Sequence, residues 1–353
     1  MTQRRRGLIA DPRRDMGMSL RFNTIIGRVA AFLCGYCLVA SPLVFAVTVT
    51  SVTIPRPEGS RHYLLARPGL AAAEKLPLII LLHGHAGSAA QIFGQEHSAA
   101  PFSVWLKIAD REGLLVAAPD GAKGRDGKPG WNDCRADADN NPETDDVGLV
   151  RAIIVKEMAE HRADPARVYV MGMSNGGMMA FRLAAEIGDR LAGFAAVSAS
   201  MAAQSACPPP GMPVSALIVS GTADPLVPYA GGNVHFISSS SRGGVIGVEQ
   251  SAWVWRQTDG LPAAPGSIAV LTHLDKKDKT AATRTFWGVD AHGLQVELLR
   301  VDGGGHVEPS ISQRFRRIYT LIVGPQNGDV EIAEEAWAFF RDKRAGFQSK
   351  AGR

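Results

Sequence analysis

The sequence contains a serine between two glycines in a segment with the chemistry of a sharp turn. Residues 172–176 read GMSNG, an apolar run (VYVM) precedes them at 168–171, and helix-forming residues follow at 178–185. A turn this tight between a strand and a helix strains the backbone of Ser174 and exposes its hydroxyl. Residues two before and two after the serine crowd each other, so glycine is needed at both places. The pattern predicts that Ser174 is a nucleophile, and a glycine turn with an inert serine is the alternative.

A serine hydroxyl is a poor nucleophile, so it needs a base and an acid that orients the base. Asp224 follows an apolar run in a GTAD turn, and His306 lies in a glycine-rich loop after the last predicted strand. Asp224 alone would be an ordinary turn residue before Pro225. The order serine, aspartate, histidine is that of the α/β class of serine hydrolases. We therefore predict a catalytic triad of Ser174, His306 and Asp224.

Acyl transfer also needs two backbone N–H groups that point at the developing oxyanion. Asn175 follows the serine at the start of the predicted helix, so its N–H is one expected donor. The second is expected after the apolar run 76–82, at His85, although HGHAG at 83–87 would also suit a plain glycine turn. His83 and His85 have no third ligand near them in the sequence, so we predict no metal site. The sequence has neither a P-loop nor a GxGxxG motif after a predicted strand, so we predict no cofactor.

Buried strand patterns alternate with helix patterns along the chain. Strands are predicted at 47–54, 61–66, 76–82, 114–118, 168–171, 191–198, 214–220, 268–273, 284–289 and 294–301. Helices are predicted at 98–112, from the Asp145-Asp146 cap to about 161, after the serine turn, at 248–258 and at 330–343. The alternation indicates an α/β fold with a doubly wound, mostly parallel sheet and helices on both faces. Ligands of such sheets bind beyond the carboxyl ends of the strands.

Charge and the N-terminus bear on location and partners. The chain carries a net charge of +4, but residues 1–28 hold seven arginines against two aspartates, which leaves −1 for the rest. A near-neutral body argues against a nucleic-acid partner. An apolar run at 29–47 follows Arg21 and Arg28, and small residues at 44 and 46 suit cleavage after Ala46.

We therefore predict a signal peptide at 1–46, a single catalytic domain at 47–346 and a tail at 347–353, in a secreted or periplasmic protein. The alternative is an uncleaved anchor, because the apolar run is nearly long enough to span a bilayer. Without that anchor we expect no stable membrane partner.

The long segment 123–142 has little periodicity and is expected to be a functional loop or part of a lid. It contains Trp131, which we place tentatively in the substrate pocket, with a structural role as the alternative. It also contains Cys134, which with Cys207 forms an even pair downstream of the leader. We expect a disulfide between them in an oxidising compartment, and two buried free thiols are the alternative.

Six motifs together resemble the α/β-hydrolase esterases grouped as polyhydroxybutyrate depolymerases and feruloyl esterases. They are LIILLHGHAGSAAQ, WNDC, DDVGLVRAII, RVYVMGMSNGGMMAFRLA, GTADPLVPYAGG and GGGHVEPS. The resemblance implies a secreted carboxylic ester hydrolase with Ser174 as nucleophile, Asp224 as acid and His306 as base. Glu308 falls near the place where that family usually has a tryptophan, and Asp259 stands where it usually has an asparagine.

The chemistry and the resemblance lead to one functional hypothesis with two alternatives. The hypothesis is a serine esterase that acts on a small-molecule or oligomeric ester through an acyl-enzyme intermediate. The first alternative is a serine peptidase on the same fold, which the absence of a gating domain disfavours. The second is a non-catalytic binding protein, which the intact set of three catalytic residue types disfavours.

Overall fold

The computed structural model describes residues 47–346 except 70–74, 97, 162, 236–241, 275–276 and 289–292. The predicted leader at 1–46 and tail at 347–353 lie outside the described residues. The described residues lie within one compact unit. None of the helices in this described part combines the length and the apolarity needed to cross a bilayer.

A ten-stranded sheet forms the centre of the fold. Its strands are β1 (Thr48–Ile54), β2 (Arg61–Arg67), β3 (Leu76–Leu82), β4 (Leu115–Pro119), β5 (Ala163–Met173), β6 (Gly193–Val197), β7 (Ser215–Gly221), β8 (Ser267–Val270), β9 (Ala281–Gly288) and β10 (Gln295–Asp302). Their spatial order is β1-β2-β4-β3-β5-β6-β7-β10-β9-β8. The six central strands from β4 to β10 are parallel, and an antiparallel pair is added at each edge. The predicted α/β fold with a mostly parallel sheet is confirmed.

Helices cover both faces of the sheet. The α-helices of the described residues are α1 (Ala89–Ile92), α2 (Val104–Glu112), α3 (Asp146–Glu160), α4 (Asn175–Ile187), α5 (Val248–Thr258), α6 (Arg317–Val323) and α7 (Ile332–Phe340). Buried side chains of α3, α4 and α5 share one core with Leu78, Ile80 and Leu82 of β3. Those of α1, α2 and α7 share the other core with Ile79 and Leu81. Because successive side chains of a strand point to opposite faces, the unbroken apolar run of β3 serves both cores.

Three segments differ from the sequence predictions. The predicted helix at 98–112 begins instead with a 3₁₀ turn at Pro101–Ser103, and α2 follows at Val104. Proline has no N–H to donate, so it is tolerated in the first turn of a helix and not in its interior. α1 and α6 lie in segments where the sequence pattern predicts no element. α6 has only seven residues, which is too short for a helical period to be recognised in the sequence.

The Cys134–Cys207 disulfide is present, with 5.3 Å between the two Cα atoms. It joins the long loop 123–142 to the segment that follows β6. Backbone bonds reinforce the joint, because Ala136 donates to the carbonyl of Gln204 and Ala206 donates to that of Cys134. The middle of the long loop is therefore fixed to the segment that follows β6.

Asp259 is a buried carboxylate at the C-terminal end of α5. Its Oδ1 accepts a hydrogen bond from Val214 N at 3.0 Å, and its Oδ2 has no hydrogen-bond partner among the described residues. Burial disfavours the charged form and raises the pKa of Asp259 from 3.8 to about 8. The folded protein therefore binds a proton that the unfolded chain loses near pH 4, so folding stability falls as the pH rises from about 4 towards 8.

We expect the substitution Asp259→Asn to remove this pH-dependent cost. The melting temperature of the variant relative to wild type should rise between pH 5 and pH 8, by at least about 2 °C. Differential scanning calorimetry at both pH values measures it. Asp110→Asn, on the exposed side of α2, is the control and should show no such trend. A difference between Asp259→Asn and wild type that stays constant with pH would contradict the prediction.

Candidate active site

Ser174 occupies the sharp turn that the sequence predicts. β5 ends at Met173, α4 begins at Asn175, and Ser174 between them has φ 55° and ψ −122°. A Cβ on Gly172 would lie 2.1 Å from the carbonyl oxygen of Gly176, and one on Gly176 would lie 2.4 Å from that of Leu82. Both glycines are therefore required by backbone atoms, which cannot move aside. The Ser174 N–H donates to Val197 O at 2.8 Å, which ties the strained turn to β6.

His306 and Asp224 lie next to the serine. His306 Nε2 is 2.9 Å from Ser174 Oγ, and His306 Nδ1 is 2.7 Å from Asp224 Oδ2. The other oxygen of Asp224, Oδ1, accepts the backbone N–H groups of Leu226 and Val227, each at 2.8 Å. Both His306 and Asp224 are buried. This arrangement lets the imidazole take a proton from the hydroxyl while the fixed carboxylate stabilises the imidazolium.

The C-terminal end of α6 holds the histidine loop. His306 N donates to Val323 O at 2.6 Å, and Gly305 N donates to Pro325 O at 2.8 Å. A Cβ on Gly305 would lie 2.2 Å from Val323 O, so only glycine permits this contact. The sequence pattern of the segment that contains α6 indicates no function. Nothing in it shows that α6 helps to position His306.

The two expected oxyanion donors lie on opposite sides of the serine turn. Asn175 opens α4, where backbone N–H groups have no partner inside the helix. His85 lies in the loop after β3 and lines the same cavity as Ser174. The N–H groups of the next two residues, Ala86 and Gly87, donate to the carbonyls of Pro129 and Gly84. Ala86 and Gly87 are therefore not available as donors, and His85 stays the predicted one.

The His85 side chain is neutral in its surroundings. Burial, followed by the Arg242 guanidinium, lowers the pKa of His85 to about 4. Arg242 Nη1 lies 2.9 Å from His85 Nε2, and Arg242 Nη2 donates to Asp126 Oδ2 at 2.7 Å. His83 is also held neutral, because burial lowers its pKa while its Nε2 accepts Gly121 N at 2.9 Å.

The Asn175 side chain forms contacts that the sequence analysis did not foresee. Its Oδ1 accepts Trp131 N at 2.7 Å, and its Nδ2 donates to Trp131 O at 3.1 Å and to Asp133 Oδ2 at 2.7 Å. Asp133 also forms a buried ion pair with Arg135. The side chain of Asn175 thus fixes the long loop against the start of α4, next to the serine turn. The WNDC motif contains both partners, but nothing in the sequence indicates their contact.

Trp131 does not have the pocket position that was tentatively predicted for it. It is fully buried and absent from the cavity lining. Its Nε1 donates to His83 O at 2.8 Å, and its ring centroid lies 4.9 Å from that of His83. Because both faces of the indole pack inside the protein, Trp131 supports the loop after β3 from the interior. This position favours the structural alternative.

A cavity of about 340 Å³ opens at Ser174 and His306. Its walls are mainly apolar and come from the α1–α2 region, the loop after β7 and α6; they include Ile92, Phe102, Leu226, Phe315, Ile322 and Val323. Of the described residues that line it, Glu308 is the one carboxylate, and burial raises its pKa. Burial, followed by the charge of Glu308, raises the pKa of the nearby Tyr319 to about 12. Such a cavity suits an apolar ligand oriented by a few polar groups.

Comparisons with known proteins identify esterases among the chains similar to this one. The family described as "Esterase PHB depolymerase" matches residues 61–208. The protein NocK of Nocardia uniformis subsp. tsuyamanensis, which its name assigns to the esterases, is 30% identical over 315 residues, 84% of each chain. Feruloyl esterase B of Piromyces equi is 28% identical over 249 residues, which are 68% of this chain and 41% of that protein. The chain thus spans less than half the length of the fungal relative.

A solved structure adds support for the fold. The acetyl xylan esterase from Aspergillus awamori superposes with a TM-score of 0.50 at 15% identity, over 73% of this chain and 94% of that one. Identity at this level concerns architecture alone, and function rests on the closer sequence relatives. The chain belongs to the α/β-hydrolase esterases, and it is a carboxylic ester hydrolase.

Proposed function

We propose that the chain is a serine esterase that works through a Ser174-His306-Asp224 triad and an acyl-enzyme intermediate. One observation carries the proposal: the hydrogen-bonded chain from Ser174 Oγ through His306 to Asp224 lies at an apolar cavity. A shared fold does not provide this arrangement by itself, and a binding protein would not need it.

In the proposed mechanism Ser174 Oγ attacks the ester carbonyl carbon while His306 Nε2 takes the hydroxyl proton. The tetrahedral intermediate collapses, the bond to the alcohol oxygen breaks, and His306 returns the proton to that oxygen. Water then attacks the acyl-enzyme by the same route, which releases the acid and restores Ser174. Asp224 keeps its charge and holds His306 in one orientation.

The oxyanion of each intermediate is proposed to accept hydrogen bonds from the backbone N–H groups of Asn175 and His85. The first lies at the positive end of α4, where the helix dipole favours negative charge. The neutral His85 ring, which contacts the Arg242 guanidinium that Asp126 binds, fixes the loop that carries the second donor. Removing one such donor typically costs about 10²–10³ in kcat.

The cavity supports a small ester or the end of an oligomeric one as substrate. Its volume is at the lower end of ligand pockets, and its walls are mainly apolar. The named activities of the fungal relatives, on feruloyl and acetylxylan esters, extend the proposal to these classes. We further propose residues 47–346 as one catalytic domain of a secreted or periplasmic enzyme, which the disulfide supports.

The nucleophile is tested by Ser174→Ala. We expect kcat/KM on 4-nitrophenyl acetate to fall by at least about 10⁴-fold. A fluorophosphonate should label the wild type at residue 174 and should not label the variant. Ser198→Ala is a matched control, because Ser198 also has a positive φ (47°) and directly follows the neighbouring strand β6. That control should keep wild-type activity. Labelling that persists in Ser174→Ala would exclude the assignment.

The substrate class is tested with the same pair of proteins. Wild-type kcat/KM is compared on methyl ferulate and on a soluble 3-hydroxybutyrate oligomer, with Ser174→Ala as the blank. Preference for ferulate would assign a phenolic esterase, and preference for the oligomer an oligoester hydrolase. No activity on these or on nitrophenyl esters would favour the binding protein, and cleavage of a peptide anilide alone would favour the peptidase.

The role of the hydrogen bonds from the Asn175 side chain to Trp131 and Asp133 is tested by Asn175→Ala. The loss of three hydrogen bonds should let the proposed oxyanion N–H shift, so kcat should fall by about 10–100-fold with little change in KM. Asn141→Ala is the matched control, since Asn141 also lines the cavity and its Nδ2 has no partner among the described residues. Equal effects of the two substitutions would contradict the proposed role.

A further inference from the structure

The outer side of α6 exposes large apolar side chains. Ile318 is 72% exposed, Leu321 75% and Ile322 56%. Ile311, in the loop that leads to the helix, is 49% exposed. Isolated exposed apolar residues are common, but a contiguous group beside a binding cavity is typical of an interaction surface.

The exposed apolar residues of α6 lie on one side of the helix. At about 100° per residue, Arg317, Ile318, Leu321 and Ile322 fall within an arc of about 140°. We call these four residues the α6 face. Val323 points the other way and is buried. Ile322, like the 40% exposed Tyr319, also lines the catalytic cavity, so the α6 face is continuous with the rim of that cavity.

The charged side chains of α6 and of the residue before it are positive. Arg316 and Arg317 are exposed, and neither forms an ion pair with a described residue. Residues 309–328 contain no aspartate or glutamate. Two cations at the N-terminal end of a helix are unfavourable with respect to the helix dipole. The two arginines therefore do not stabilise the isolated helix, whereas an anionic partner would form favourable contacts with them.

We propose that α6 docks the mouth of the catalytic cavity reversibly onto an anionic lipid surface. Apolar side chains flanked by arginines are the composition of segments that lie in the headgroup region of a bilayer. A second copy of the chain would bring the arginines of both α6 faces together, and a neutral polymer surface would leave them unpaired. This docking is separate from the predicted leader, and it does not depend on the proposed chemistry because binding is measured without hydrolysis.

The test is sedimentation of the full-length chain with lipid vesicles. Vesicles of phosphatidylcholine alone are compared with vesicles that also contain phosphatidylglycerol. For wild type we expect the anionic lipid to strengthen binding about fivefold for each arginine engaged. Ile318→Ser/Leu321→Ser should weaken binding to anionic vesicles by at least about tenfold, since two apolar side chains lose their burial. Arg316→Gln/Arg317→Gln should reduce binding to the level on neutral vesicles.

Two controls separate docking from folding and from catalysis. Ile268→Ser/Val270→Ser removes two equally exposed apolar side chains from the edge strand β8 and should bind like wild type. Hydrolysis of soluble 4-nitrophenyl acetate should be unchanged in Ile318→Ser/Leu321→Ser, because neither residue lines the cavity. Failure of the serine esterase proposal would therefore appear in that assay and not in the vesicle assay.

Three results would overturn the proposal. Equal binding of wild type and Ile318→Ser/Leu321→Ser would assign any vesicle binding to the leader. Equal loss of binding in the β8 control would show a non-specific apolar effect. A concentration-dependent dimer that disappears in Ile318→Ser/Leu321→Ser, with no preference for anionic vesicles, would make α6 a contact between copies of the chain.

Discussion

The close approach of backbone atoms around Ser174 is the constraint on which the site depends. Gly172 packs against Gly176 O, and Gly176 packs against the end of β3, with distances that leave no room for a Cβ. This contact holds a non-glycine residue at φ 55°, which is costly and persists only because the surrounding structure imposes it. It brings the start of α4, the loop after β3 and the exposed hydroxyl to one point.

The rest of the site follows from the direction of the strands. β3, β5, β7 and β10 are parallel, so the loops after them meet at one edge of the sheet and supply His85, Ser174, Asp224 and His306. Side chains outside these loops then fix their positions. Asn175 binds the long loop through Trp131 and Asp133, and the disulfide at the adjacent Cys134 joins the same part of the loop to the segment after β6.

Helix α6 contributes to the active site in three ways. Its C-terminal end positions His306, its inner side chains form one wall of the cavity, and its outer side chains are exposed. Glu308 joins the same wall near the place where the family usually has a tryptophan. The apolar wall, the carboxylate and the exposed rim therefore depend on one short segment, 308–323.

The sequence by itself determined the elements and the order of the chemical groups, because strand burial, glycine turns and helix caps are local properties of neighbouring residues. It predicted nine of the ten strands of the sheet to within a few residues, the turn at Ser174 and the Cys134–Cys207 pair. Only the tertiary structure decided that Trp131 packs against His83, that the Asn175 side chain donates to Asp133 and that the end of α6 binds His306. These contacts join residues that are far apart in the chain, and their geometry depends on how the loops pack over the sheet.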